Sequence, residues 1–197
     1  MRDKLVRKRI MSSGFLILIL LIGNTLIGCG RVSMDSQEIY FSFNELPESE
    51  NLSNISLTIY YKDLLVFTRA PVSLEQLTGG WYDNAGQLVS GIYTYRIVVS
   101  GDKLEEHRDM INQLLKAELL PTETESVVDA RLYYVFEHRE YGELFSVLAF
   151  GSGTGSVFVN GIEVEHNRVF FEMVLPFLPD DAVTTIGRYI EAMENSA

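Results

Sequence analysis

The residue types that carry acid–base and metal chemistry occur together in three Glu-His dipeptides. These are Glu106-His107, Glu137-His138 and Glu165-His166. Glutamate and histidine can transfer protons or bind zinc. Adjacent side chains point to opposite faces of a strand, however, and diverge by about 100° on a helix. The H-E-x-x-H pattern is absent from the sequence, so the dipeptides predict no catalytic residue, no metal site and no cofactor.

A glycine-rich run covers residues 151–156, with Gly151, Gly153 and Gly155 alternating with Ser or Thr. A phosphate-binding loop needs a following helix and, in a P-loop, a lysine, whereas the strand-like residues 157–159 follow here. Neither serine of the run is flanked by the two glycines of a nucleophile elbow. We therefore expect a loop between two strands, and whether residues 151–155 bind a ligand stays open.

Cys29 is the single thiol of the chain, and Leu26-Ile27-Gly28 precede it directly. Upstream lie a basic stretch that ends at Arg9 and an apolar run of eight residues, 15–22. This run is far shorter than the ~20 residues that span a bilayer. The arrangement resembles the signal peptide and lipobox of bacterial lipoproteins. The resemblance covers residues 1–29 only.

The lipoprotein resemblance implies lipid attachment to the Cys29 thiol, cleavage after Gly28 and acylation of the new amino group. It divides the chain into a signal peptide (1–28), a lipidated cysteine with a short tether (29–37) and a single globular domain (38–197). An uncleaved signal anchor is the alternative. An aspartate directly after the lipidated cysteine would resemble a signal for retention in the inner membrane. In this chain Gly30 occupies that position instead. The expected location is therefore the cell envelope, at the extracytoplasmic face of an outer membrane or of a plasma membrane.

Charge and cysteine content restrict what the mature chain can do. Residues 29–197 contain 11 basic and 26 acidic side chains. Phosphates repel such a surface, so nucleic-acid binding is excluded as a general activity. Once Cys29 is lipidated, no thiol is left for a disulfide, for thiolate catalysis or for a metal site.

Hydrophobic periodicity predicts mostly strands. The predicted strands are 38–43, 55–62, 64–68, 93–99, 131–137, 143–150, 157–159, 162–164 and 168–175. Turn signals join several of them, notably Asp83-Asn84-Ala85-Gly86 and Asn160-Gly161.

Two segments have the spacing of amphipathic helices. The first begins at the capping-box pattern Asp102-Lys103-Leu104-Glu105 and ends before Pro121; the second begins at Pro179 and extends to Met193. A short helix is also indicated over 73–78. The regular βαβ alternation of a doubly wound sheet is absent. We therefore predict an α+β fold, mainly an antiparallel sheet with both amphipathic helices on one face.

Paired aromatic residues give the best indication of a partner surface. Tyr60-Tyr61, Trp81-Tyr82 and Tyr133-Tyr134 should each place one ring in the core and the other outside. Exposed Tyr and Trp are favoured at protein interfaces. The prediction is an exported, lipid-anchored, non-catalytic protein with a binding or assembly role, in contact with the membrane and with a protein partner. The alternatives are a lipid-tethered hydrolase and an inhibitor or immunity-type module that binds a basic partner.

Overall fold

The computed structural model describes residues 52–122, 127–150 and 156–195. All of them belong to the compact unit Asp35–Ala197. The predicted signal peptide, Cys29, the tether, strand 38–43 and the loop 151–155 lie outside the described residues. In the described ranges, no helix has both the length and the apolar character that crossing a membrane requires.

Within the described residues, eight strands form two antiparallel sheets. They are β1 (Ile55–Tyr61), β2 (Gly79–Tyr82), β3 (Leu88–Ser90), β4 (Tyr95–Val99), β5 (Leu132–His138), β6 (Gly142–Ala149), β7 (Val157–Val159) and β8 (Ile162–Val164). Six of them form the main sheet in the order β4-β1-β5-β6-β7-β8, and β2 pairs with β3 alone.

Five α-helices and two 3-10 turns complete the described part of the chain. The helices are α1 (Leu74–Thr78), α2 (Gly101–Glu105), α3 (Arg108–Leu115), α4 (Val169–Glu172) and α5 (Asp180–Glu194), and the 3-10 turns are Leu52–Asn54 and Leu175–Phe177. This arrangement confirms the predicted α+β class with a mainly antiparallel sheet, although the helices are more numerous than predicted.

One face of the main sheet forms the larger core. Leu57 and Ile59 of β1 lie beside Phe136 and Tyr134 of β5 in the register, and all four are fully buried. Side chains of α3, α4 and α5 belong to the same hydrophobic cluster, including Ile111, Leu114, Phe170, Phe171, Ile186 and Ile190. The apolar side chains that recur with a period of two along the strands therefore pack against the apolar face of α5 on one side of the sheet, as predicted.

The Asn160-Gly161 turn joins β7 to β8 as predicted. Asn160 has φ 48° and Gly161 has φ 80°, so both central residues are left-handed, which is the requirement of a type I′ hairpin. The Asn160 side chain also accepts a hydrogen bond from the Ser146 backbone N–H at 2.8 Å. This bond ties the turn to the neighbouring strand β6.

Two predicted strands are wrong. Residues 64–68 form a loop, and β1 pairs with β4 and β5 instead. Residues 168–175 form α4 and the start of a 3-10 turn, with the Asn167 side chain accepting the Val169 N–H at 3.0 Å. Both segments are short apolar runs without a strict alternation, and periodicity alone does not separate helix from strand in such runs.

The first predicted amphipathic helix is divided in two. It begins at Gly101 rather than after an Asp102 cap, and it breaks before α3, where His107 adopts φ −116° and ψ 23°. The His107 ring packs edge-on against Phe177 with centroids 4.9 Å apart. The α3 helix ends at Leu115, several residues before Pro121. Tertiary packing therefore overrides the continuous helical spacing of this segment.

Candidate binding surface

The connection between β1 and β4 contains most of the exposed large hydrophobic residues. We call this connection, residues 62–94, the excursion; it includes α1, β2 and β3. Among the described residues, eleven large hydrophobic side chains are exposed, and seven of them belong to the excursion. These seven are Leu65, Val66, Phe67, Trp81, Tyr82, Leu88 and Ile92. Such a concentration of exposed apolar side chains is typical of an interaction site.

The inner side of the excursion packs against the second face of the main sheet. Val72 and Leu77 are buried there in a small cluster with Ala130. Tyr60 and Tyr133 contact this cluster, and their rings lie 6.1 Å apart. The excursion is therefore a folded element with one apolar side on the sheet and another facing solvent.

A buried arginine connects the excursion to the start of β5. The guanidinium of Arg131 donates to Asp129 Oδ2 at 3.0 and 3.1 Å, to the Val66 carbonyl at 2.9 Å and to Thr68 Oγ1 at 2.8 Å. The other oxygen of Asp129 accepts the Val72 N–H at 2.8 Å. Charge-assisted hydrogen bonds of this kind are stronger and more directional than neutral ones. They fix the backbone of residues 66–72 against the sheet.

Three successive side chains project from this clamped segment, and we call them the apolar tip. Leu65, Val66 and Phe67 are 68%, 46% and 99% exposed. Asp63 orders the turn that precedes them, since its Oδ1 accepts the Leu65 N–H at 2.8 Å and its carbonyl accepts the Val66 N–H at 3.3 Å. The tip is thus held outward by hydrogen bonds on both of its sides.

A cavity of about 360 Å³ opens beside Trp81, and we call it the aromatic cleft. Its lining includes Pro71, Gln76, Val89 and Ile92. Helix α1 forms one wall and is fixed by a capping box, in which Ser73 Oγ accepts the Gln76 N–H at 3.1 Å and Gln76 Oε1 accepts the Ser73 N–H at 3.0 Å. The cleft is large enough for one or two apolar side chains of a ligand.

The aromatic pairs are placed differently from the prediction. Tyr61 and Tyr134 are buried in the larger core, as expected, but Tyr60 and Tyr133 lie half-buried beneath the excursion. The pair on β2 contributes no ring to the core, because Trp81 and Tyr82 are 43% and 70% exposed. The alternation of apolar and polar residues predicts the strands, but it contains no information about the excursion, which covers the second face of the sheet.

The histidines of the three Glu-His dipeptides are used in packing. His107 contacts Phe177; the buried His138 accepts two backbone N–H groups in the β5–β6 turn through Nδ1; and His166 stacks on Phe171 at 5.1 Å. Burial lowers the pKa of the His166 imidazole. Within the described ranges, no three His, Cys, Asp or Glu side chains are close enough to hold a metal ion.

Comparison with known proteins finds no matching family model, no matching curated protein and no matching solved structure. The chemistry of the surface itself is therefore the basis for its interpretation. Sequence periodicity does not reveal the apolar tip, because it predicts a strand over residues 64–68. The usable signal was an apolar run without alternation, bracketed by Lys62-Asp63 and Arg69.

Proposed function

We propose that this protein is an exported lipoprotein, attached through Cys29 to the extracytoplasmic face of a bacterial membrane, which binds a protein partner through the aromatic cleft. Its role is non-catalytic. The observation that carries the binding role is the concentration of exposed apolar side chains on the excursion, a segment that Arg131 and Asp129 hold in place.

The aromatic cleft suits a protein ligand. Trp and Tyr are enriched among the residues that dominate binding energy, and Trp81 lies on the cleft wall. Gln76 supplies a polar group within an otherwise mainly apolar lining. We therefore expect the partner to insert an apolar side chain into the cleft and to form a backbone hydrogen bond with the side-chain amide of Gln76.

An inhibitor or immunity-type module has less support than a general binding protein. Such a module would place an acidic patch around its exposed aromatics so as to cap a basic partner. Asp83 follows Tyr82 directly, but its Oδ1 accepts the backbone N–H groups of Ala85 and Gln87 at 2.9 and 2.8 Å. The only other acidic residues of the excursion are Asp63 and Glu75.

Photo-crosslinking in intact membranes tests the binding role. A photoreactive residue at Ile92, an exposed position in the cleft lining, should give one discrete protein adduct, whereas the same residue at Tyr141, an exposed position in the β5–β6 turn, should not. With the purified partner, Trp81→Ala should weaken binding roughly 30-fold, as expected for a central aromatic residue. Equal adduct patterns at the two positions would contradict the proposal.

Mass spectrometry of protein from membranes tests the attachment. We expect a mature N-terminus at Cys29 that carries acyl chains, and the precursor should accumulate in Cys29→Ala. A retained Met1 together with a free Cys29 thiol would establish the signal-anchor alternative instead. The two experiments are independent, because binding through the cleft does not require acylation.

A further inference from the structure

Two basic residues bracket the apolar tip. Lys62 and Arg69 lie on either side of it in the chain; Arg69 is exposed, whereas Lys62 is half-buried and its Nζ donates to the Ile92 carbonyl at 3.1 Å. The single acidic residue of this stretch, Asp63, directs one carboxylate oxygen to the Leu65 N–H. Residues 62–69 therefore carry a local positive charge in a chain whose formal net charge is −11.

The composition of the tip separates a lipid occupant from a protein one. Leu and Val are under-represented among the residues that dominate protein interfaces, where Trp, Tyr and Arg prevail. Exposed Leu and Phe beside Lys and Arg are instead the combination by which peripheral segments enter the headgroup region of a bilayer. The exposed Arg69 complements anionic headgroups, which the rest of this acidic chain repels.

The clamp beneath the tip reduces the cost of insertion. The Val66 carbonyl and Thr68 Oγ1 both accept hydrogen bonds from the buried Arg131, so the backbone on which Phe67 stands is already ordered. Inserting a preordered loop loses less conformational entropy than inserting a flexible one. The tip can therefore transfer its apolar side chains into lipid without prior folding.

We propose that the apolar tip of Leu65, Val66 and Phe67 inserts into the membrane surface, with Arg69 at the level of the lipid phosphates. This insertion goes beyond the proposed function and relies on it only because the lipid anchor at Cys29 would hold the domain close to the membrane. The predicted tether, 30–37, spans at most about 29 Å when extended. Insertion gives the domain a second point of attachment and so limits the orientations in which the aromatic cleft faces a partner.

Fluorescence of a single tryptophan tests the insertion, since Trp81 is the only Trp of the chain. The full chain carrying Trp81→Phe and Phe67→Trp is reconstituted into vesicles of phosphatidylcholine and phosphatidylglycerol, with or without bromine on the acyl chains. We expect a blue-shifted emission, strong quenching by brominated lipid and at least threefold protection from iodide. The matched control carries Trp81→Phe and Tyr141→Trp and should remain accessible to iodide.

Each outcome has a defined meaning for the tip. Iodide accessibility equal to that of the Tyr141→Trp control overturns the proposal. Protection from iodide without quenching by brominated lipid also overturns it and indicates a protein contact instead. Adding Arg69→Glu should reduce the bromine quenching on anionic vesicles and leave it nearly unchanged on phosphatidylcholine alone. An Arg69→Glu variant that behaves like its parent on both vesicles would contradict the role of the phosphates.

The same samples separate this proposal from the lipoprotein assignment. Mass spectrometry of the reconstituted protein reports whether Cys29 is acylated. Acylated protein with an iodide-accessible tip would support the lipid anchor and contradict the insertion. Unacylated protein with a lipid-quenched tip would contradict the lipid anchor and support the insertion.

Discussion

Asp129 and Arg131 face the excursion with an ion pair of 3.0 Å between carboxylate Oδ2 and guanidinium Nη2. Their side chains are only 22% and 9% exposed. The second carboxylate oxygen accepts the Val72 N–H, and the guanidinium also donates to the Val66 carbonyl and to Thr68 Oγ1 of the excursion. The pair therefore joins two segments that are more than 55 residues apart in sequence.

Arg131→Met should lower the free energy of unfolding by roughly 2–4 kcal/mol. The substitution leaves the Asp129 charge without its partner, and it removes the hydrogen-bond donor from the Val66 carbonyl and from Thr68 Oγ1. Urea denaturation of residues 31–197 measures this change. Arg108→Met is the matched control, since Arg108 and Glu105 form an exposed pair at 2.6 Å. That control should change stability by less than about 0.5 kcal/mol. Similar losses in both variants would show that burial of the Arg131 pair is unimportant.

Residues 31–197 should fold without lipid, metal or disulfide. A continuous cluster of buried side chains extends from β1 to α5, and in the described ranges no His, Cys, Asp or Glu cluster suits a metal. The hydrophobic core is thus the main source of stability. Thermal melting with and without a chelator provides the measurement. A large fall in Tm on chelation would refute both the autonomous core and the absence of a structural metal.

Gly161→Ala and Gly187→Ala should change stability in opposite directions. Gly161 has φ 80° in the β7–β8 turn, where alanine is strained by about 1 kcal/mol. Gly187 lies within α5, and a Cβ there would meet no neighbour within 4 Å. Its replacement by alanine should stabilise the helix by about 0.5–1 kcal/mol. Chemical denaturation of both variants decides this, and a stabilised Gly161→Ala would mean that the turn is not type I′.

Alkaline pH should destabilise the fold through its tyrosines. Burial raises the pKa of Tyr133 and of Tyr189 to about 12, and it raises the pKa of the fully buried Tyr134 as well. The folded chain then holds phenol protons that the unfolded chain releases near pH 10. This stability is complete below pH 10 and is lost as the pH rises towards 12. Ultraviolet titration should show a late-ionising group of tyrosines.

Tyr189→Phe isolates one contribution to the alkaline transition. The Tyr189 hydroxyl is buried beside Phe150 and Phe171, and no hydrogen-bond partner for it occurs among the residues that the structure describes. Its removal should leave stability at pH 7 unchanged or raise it by up to about 1 kcal/mol, and it should reduce the late phase of the titration. A variant with a full late phase would show that Tyr189 ionises with the exposed tyrosines.

The sequence predicts those elements whose pattern and packing agree. Leu57 and Ile59 alternate with polar or half-buried neighbours, and they lie in β1 on the core face. Asn160-Gly161 needs only local backbone geometry, and it forms the expected turn. In contrast, the outward direction of Phe67 depends on Arg131, which binds the neighbouring Val66 carbonyl from 65 positions away. Local periodicity contains no information about such a long-range contact, so it does not predict the apolar tip, although the Trp81-Tyr82 pair is among the residues predicted for a partner surface.

The excursion leaves the main sheet and returns to it at one place. The Thr94 N–H donates to the Tyr61 carbonyl at 2.7 Å, and Tyr61 and Tyr95 are partners in the β1–β4 register. The two strands could consequently be joined by a short turn with the sheet order unchanged. The entropic cost of closing a loop rises only slowly with the length of the loop. Segments of quite different size could therefore be grafted between the same two residues. Evolution could therefore exchange the proposed recognition surface while retaining the sheet, and the excursion is the natural place at which to engineer a new specificity.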